Sequence, residues 1–170
     1  MDTHPLVAQL GFARSEFTRC LEGISPEEAL RRFEPMNCLS WIVGHLANQE
    51  HSLWVMAAQG RSVTEGLNEL VGFGKPATTP PLQDMWAAWH AVTAAADEYL
   101  ETLTTRDLQN HLHWGERPLL ENVGTLLLRN TYHYWYHLGE AHAIRQLLGH
   151  CNLPQFVGDM AEVHYRPESE

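Results

Sequence analysis

The chain has few basic residues and no long apolar run. Lysine and arginine together number 11 against 21 aspartates and glutamates, which gives a formal charge of −10 at pH 7. Because such a charge repels phosphate backbones and anionic membrane surfaces, we expect neither a nucleic acid nor a membrane as a partner. No apolar stretch in the sequence approaches the roughly 20 residues of a membrane span.

Cysteine is also scarce. Cys20, Cys38 and Cys151 are odd in number and widely spaced, and no two of them form a CxxC pair. The first residues, MDTHPLVAQLGFARSEF, lack the order of basic, apolar and small residues that marks a signal peptide. Together these features predict a reduced, cytoplasmic protein, in which Cys38 packs as a small hydrophobic side chain.

The sequence also lacks strand patterns, because no segment alternates apolar and polar residues for long enough to predict a sheet. The hydrophobic content of 44% and the charged content of 19% are typical of a globular chain. A length of 170 residues suits one hydrophobic core. We therefore predict an all-α protein with a single domain over residues 1–170.

Helical periodicity and its usual punctuation predict four long helices. Ser25 and Pro26 resemble the N-cap and first position of a further short helix that ends near Phe33. Residues 61–81 form a long connection rich in Gly, Pro and Thr, which is a candidate lid. Residues 104–121 are irregular in pattern. The long helices are expected near residues 4–22, 39–60, 82–103 and 122–148, and four of this length favour an antiparallel four-helix bundle.

One stripe of the fourth predicted helix is apolar at its ends and polar in its middle. Buried polar side chains without partners would cost about 1–3 kcal/mol each, so these residues need partners. Glu140 could orient a ligand imidazole through a hydrogen bond, and Asn130 could do the same or be bonded within the bundle. At steps of three and four the stripe runs through Leu126, Asn130, His133, His137, Glu140, Ile144 and Leu148.

His133 and His137 are the central pair of this stripe. Side chains four residues apart on a helix are about 5–6 Å apart at Cβ, so two imidazoles can share one metal ion. The alternative is that both are satisfied core or interface histidines, because an HxxxH match alone is weak. A zincin protease is excluded, since Tyr134 stands where its HExxH motif requires glutamate.

A third ligand would have to come from another helix. His45 and His51 lie on the second long helix, about 240° apart around its axis, so only one should face the core. His45 directly follows Gly44, which suggests close approach of a neighbouring element there. A lone histidine on such a face is more often packed than ligating, but the other two imidazoles favour His45 as a partner.

Several segments together resemble the DinB-like (DinB/YfiT) superfamily of metal-binding four-helix bundles. They are MNCLSWIVGHLANQE, GFGKPATTPPL and RNTYHYWYHLGEAHAIRQLLGH with LPQFVG. The resemblance implies a three-histidine metal site at His45, His133 and His137, loaded with zinc, nickel or iron. It also implies a homodimer.

The resemblance leaves the activity open. Characterised relatives include transferases that join a low-molecular-weight thiol to an electrophilic substrate, in detoxification or stress response. Other members have no assigned activity, so a non-catalytic metal-binding module for stress response is the alternative. A third reading is a structural module with packed histidines. No residue is predicted to be catalytic from the sequence.

Overall fold

The structure, a computed structural model, describes residues 3–164 and is mostly helical. The predominantly helical fold predicted from the sequence is thereby confirmed. The helices are α1 (Pro5–Cys20), α2 (Pro26–Leu30), α3 (Leu39–Glu50), α4 (Leu67–Val71), α5 (Leu82–Leu100) and α6 (Val123–Leu147). Within the described residues, no helix is long and apolar enough to cross a membrane.

Local chemistry sets the ends of these helices. Ser25 caps α2 in a capping box: its hydroxyl accepts from the Glu28 N–H, and the Glu28 carboxylate accepts from the Ser25 N–H at 2.9 Å. Asn122 caps α6 by accepting from the N–H of Thr125 at 2.9 Å. Gly149 follows the end of α6 with a φ of 90°, a left-handed conformation that glycine adopts without strain.

The second long helix changes its winding midway. After Glu50 it continues as a π-helical segment, His51–Ala57. The even α-helix that the sequence predicts over residues 39–60 is therefore wrong for this segment. His51 is 4% exposed, and its Nε2 accepts a hydrogen bond from the N–H of Val63 at 3.2 Å. His51 is thus covered by the 61–81 connection, whereas His45 lies with the two histidines of α6.

A short hairpin separates α5 from α6, so the all-α prediction is wrong for this segment. Strands β1 (His111–Trp114) and β2 (Arg117–Asn122) pair antiparallel. Trp114 lies opposite Arg117 across a two-residue turn, in which Gly115 has a φ of 61°. His111 and His113, in the segment that the sequence marks as irregular, lie on β1, and both are exposed to solvent.

The long helices enclose the core. Helix α3 packs against α5 and α6, and α1 packs against α6. The connection over residues 61–81 contains α4, which packs on α3. Trp54 is fully buried and donates its indole N–H to Asn130 at 2.7 Å. Tyr136 is 70% exposed.

Candidate metal centre

Three histidines from two helices converge at the contact between α3 and α6. His45 comes from α3, and His133 and His137 come from successive turns of α6. One ring nitrogen from each lies within 4.8 Å of the others, and they form the one such group among the described residues. The Nε2 atoms of His133 and His137 are 3.0 Å apart.

The ring of His45 is held from two sides. Its Nδ1 lies 2.8 Å from the carbonyl oxygen of Val71 at the end of α4. Because a carbonyl only accepts, Nδ1 carries the proton and Nε2 keeps its lone pair. Trp41 stacks on the same ring at a centroid distance of 4.4 Å and an angle of 15°. Through the carbonyl of Val71, the 61–81 connection thus fixes the orientation of the His45 ring.

His137 is oriented by an acidic residue on its own helix. Its Nδ1 lies 2.8 Å from Oε2 of Glu140. The carboxylate accepts from this nitrogen, so Nε2 of His137 also keeps its lone pair. A carboxylate behind a ligating imidazole fixes its tautomer and raises its basicity as a ligand.

His133 is the least satisfied of the three rings. Its Nδ1 is buried, and no hydrogen bond reaches it within residues 3–164. If its Nε2 carried the proton, Nδ1 would be a buried acceptor without a donor. If Nδ1 carried it, two lone pairs would face each other between His133 and His137. A divalent cation turns facing lone pairs into ligands, and two nitrogens on one tetrahedral zinc lie roughly 3.3 Å apart. The residues present fit a metal ion.

The rings of His133 and His45 are in the neutral form that binds a metal ion. Burial lowers the pKa of His133 to about 3, helped by His137, His45 and the charge of Arg129. Burial also lowers the pKa of His45. Both imidazoles are therefore neutral near pH 7, and neutral imidazole is the form in which histidine ligates.

A cavity of about 510 Å³ opens beside His133. One face of α6 forms most of its wall, and a salt bridge between Arg129 and Glu121 closes one side. No residue of the 61–81 connection lines it, so that connection does not roof this cavity. The lining residues are Gln49, Glu121, Thr125, Leu128, Arg129, Tyr132, His133 and Tyr136.

Most of the residues that line this cavity were not predicted from the sequence. Arg129 precedes His133 by one helical turn. The signal was the spacing of Thr125, Arg129 and His133, which places all three on one face of α6. Glu121 and Gln49 come from other elements, and no local pattern predicts them.

Asn130 lies beneath the site and is fully buried. Its side-chain oxygen accepts from the Trp54 indole, and its NH₂ group donates to Gln49 at 3.0 Å. Of the two roles considered for Asn130, the structure places it in the second, bonded among the helices. Among the described residues it makes no hydrogen bond to any of the three histidines, and it reaches the cavity wall through Gln49.

Comparison with known proteins agrees with the residues that suggested a family. No curated protein matches the chain by sequence. Residues 9–141 match the model of the DinB superfamily, and this range includes His45, His133 and His137. Since the match covers well over half of the chain, the protein belongs to the DinB superfamily.

Proposed function

We propose that this protein binds a divalent metal through His45, His133 and His137 and uses it to transfer a low-molecular-weight thiol to an electrophile. Zinc, nickel and iron are the candidate metals, and detoxification or stress response is the proposed setting. The convergence of three ring nitrogens within 4.8 Å beside an open cavity carries this proposal.

Three protein ligands are the number typical of catalytic sites, because a position is left for substrate. A divalent metal held there would supply acidity, keeping a bound thiol deprotonated at neutral pH. The protein's own part is to orient the rings: Val71 holds His45 and Glu140 holds His137. Leu128 and Tyr132 offer apolar surface beside His133 for the carbon skeleton of an electrophile.

A non-catalytic metal-binding module for stress response is the second candidate. It would use the same three ligands, and the same geometry supports it. Turnover separates the two: metal-loaded protein would conjugate a thiol to a chromogenic electrophile such as 1-chloro-2,4-dinitrobenzene only under the first. Metal binding without thiol-dependent turnover would favour the module.

The arrangement of the helices and the oligomeric state belong to the same proposal. We propose an antiparallel four-helix bundle, supported by the packing of α3 on α5 and of α1 on α6. We also propose a cytoplasmic homodimer. The aromatic side chain of Tyr136, which is 70% exposed, is compatible with a subunit contact.

Metal content measured by mass spectrometry on untagged protein is the first test. We expect about one metal per chain in the natural sequence and loss of that metal in His137→Ala. His142→Ala is the matched control, because His142 lies on the same helix, where its ring contacts Phe156. It should retain the metal. Protein without metal that also fails to reconstitute would overturn the proposal and leave the third reading, packed histidines.

A further inference from the structure

The cavity beside His133 carries two opposite charges that the metal site itself does not use. Arg129 of α6 and Glu121 of β2 form a bidentate pair, in which Nε donates to the two carboxylate oxygens at 3.0 and 2.8 Å. Nη2 donates to Glu121 as well. Within the described residues, Nη1 of Arg129 makes no hydrogen bond, so it remains free to bind another carboxylate.

This pair is open to exchange with a ligand. The side chains of Arg129 and Glu121 are 58% and 27% exposed. Exposed ion pairs of this kind contribute only about 0–1 kcal/mol, so a ligand that offers equivalent charges can rearrange them at little cost.

The pair shares a cavity wall with one of the three histidines. Arg129 precedes His133 by four residues on α6, and both line the same cavity. Residues at this spacing are about 5–6 Å apart at Cβ. The ammonium nitrogen and the carboxyl carbon of a β-thiol amino acid are each three bonds from its sulfur, a short separation that suits groups on adjacent turns of one cavity wall.

The net charge of the chain limits which net charge a ligand of this cavity should carry. A formal charge of −10 disfavours ligands that are net anions. A zwitterion has no net charge and presents one group of each sign, which is the complement of Arg129 and Glu121. The apolar side chains of Leu128 and Tyr132 on the same wall suit its carbon atoms.

We propose that the Arg129–Glu121 pair binds the zwitterionic head of an amino-acid thiol, with Arg129 taking the carboxylate and Glu121 taking the ammonium. This rests on the proposed function, because it places the thiol at the three histidines. The pair thereby determines specificity: thiols that carry both charges are selected over thiols with one charge or none.

Binding constants of four small thiols test this, measured by isothermal titration calorimetry on the zinc-loaded full chain. Cysteine carries both charges, cysteamine lacks the carboxylate, 3-mercaptopropionate lacks the ammonium and 2-mercaptoethanol lacks both. We expect cysteine to bind about tenfold more tightly than either singly charged thiol, as charge-assisted hydrogen bonds would give.

Two variants assign the charges to residues. Arg129→Gln should remove the advantage of cysteine over cysteamine, and Glu121→Gln should remove its advantage over 3-mercaptopropionate. Arg129→Lys keeps the positive charge but loses the paired N–H donors of the guanidinium. It should therefore restore part of the preference for cysteine over cysteamine. The control is Arg61→Gln, since Arg61 forms a similar exposed pair with Glu98 away from this cavity, and it should leave all ratios unchanged.

The outcomes separate this inference from the proposed function. If cysteine binds no more tightly than 2-mercaptoethanol, or if the Arg129 and Glu121 variants leave the ratios unchanged, the inference is overturned and the pair only ties β2 to α6. If none of the four thiols binds the zinc-loaded protein, the thiol function fails instead. In that case S-methylcysteine, titrated into metal-free protein, still tests the charged pair, and weaker binding by Arg129→Gln supports it.

Discussion

At the scale of single residues, the partner of each Nδ1 atom determines what the three histidines do. His45 and His137 each donate from Nδ1 to an oxygen, and both rings are thereby fixed with a lone pair on Nε2. His133 has no such partner among the described residues. The rings of His45 and His137 are therefore held in place for a metal ion, and we expect the ring of His133 to adjust when the ion binds.

Glu140 should therefore control metal affinity without binding metal. Replacing it by alanine removes the acceptor of His137 Nδ1 and frees the ring to rotate. We expect Glu140→Ala to weaken metal binding by about 10–100-fold, measured by competition with a chromophoric chelator. Glu140→Gln keeps an acceptor and should lose less.

The control for this series is Glu116→Ala, which removes an exposed carboxylate in the hairpin turn and should leave the affinity unchanged. If Glu140→Ala binds metal as tightly as the natural protein, the hydrogen bond at 2.8 Å does not orient His137 for binding.

The site residues that the sequence could indicate are the ones close together along the chain. His133, His137 and Glu140 share one face of one helix, and spacing alone reveals that. The carbonyl of Val71, which holds His45, is 26 residues away in sequence. The partners of Asn130 come from another helix, so spacing could not choose between the two roles considered for it.

At the scale of elements, α3 passes unusually close to its neighbours at Gly44. A Cβ atom there would lie 2.3 Å from the Sδ of Met85 on α5 and 3.2 Å from Val71 on α4. The glycine within an otherwise regular helix indicates such a contact, and the structure identifies the two partners. Val71 also supplies the carbonyl for His45, so this packing positions the site.

Gly44→Ala should destabilise the protein, although alanine is the better helix former. Crowding against Met85 and Val71 is expected to cost about 1–3 kcal/mol, more than the gain in helix propensity. Gly139→Ala is the matched control, because Gly139 is exposed on α6 and its Cβ would meet nothing within 4 Å. It should stabilise by about 0.5–1 kcal/mol.

Urea denaturation measures both variants. If Gly44→Ala is as stable as Gly139→Ala, then Met85 and Val71 move aside at no cost in free energy. Close approach of these side chains would then not explain why position 44 is glycine.

Helices were predicted better than the hairpin for a physical reason. Capping residues and glycine stops act locally, so Ser25 and Gly149 mark ends correctly. Strands β1 and β2 are only four and six residues long, and Leu112 is the one buried residue in β1. With so little burial there is no alternation to detect. The π-helical turn after Glu50 likewise leaves no signature in hydrophobic spacing.

At the scale of the whole molecule, the four long helices meet at a buried charge. Arg14 of α1 donates to Glu50 of α3 from Nε at 2.9 Å and from Nη2, and to Asp97 of α5 at 2.6 Å. The hydroxyl of Tyr134 on α6 donates to Glu50 at 2.6 Å and accepts from the Trp89 indole at 2.8 Å. Every long helix contributes to this network.

This network was not visible in the sequence, because residues that bond to each other in it are up to 84 positions apart. Glu50 has no exposed surface, so its charge depends entirely on these partners. A buried pair adds little beyond what a hydrophobic replacement would supply, but breaking it by removing one partner is costly. We expect the network to specify how the helices meet more than to strengthen their contact.

Arg14→Met tests this directly, because it keeps the bulk of the side chain and leaves Glu50 without a counter-charge. We expect the free energy of unfolding, from urea denaturation, to fall by about 3–5 kcal/mol. The double variant Arg14→Met with Glu50→Gln should recover part of that loss, because the uncompensated charge is gone. Arg61→Met, which breaks the exposed pair with Glu98, should change stability by no more than about 1 kcal/mol. If Arg14→Met were as mild as Arg61→Met, water would have to reach Glu50 in solution, and the helices would be held together by their apolar surfaces alone.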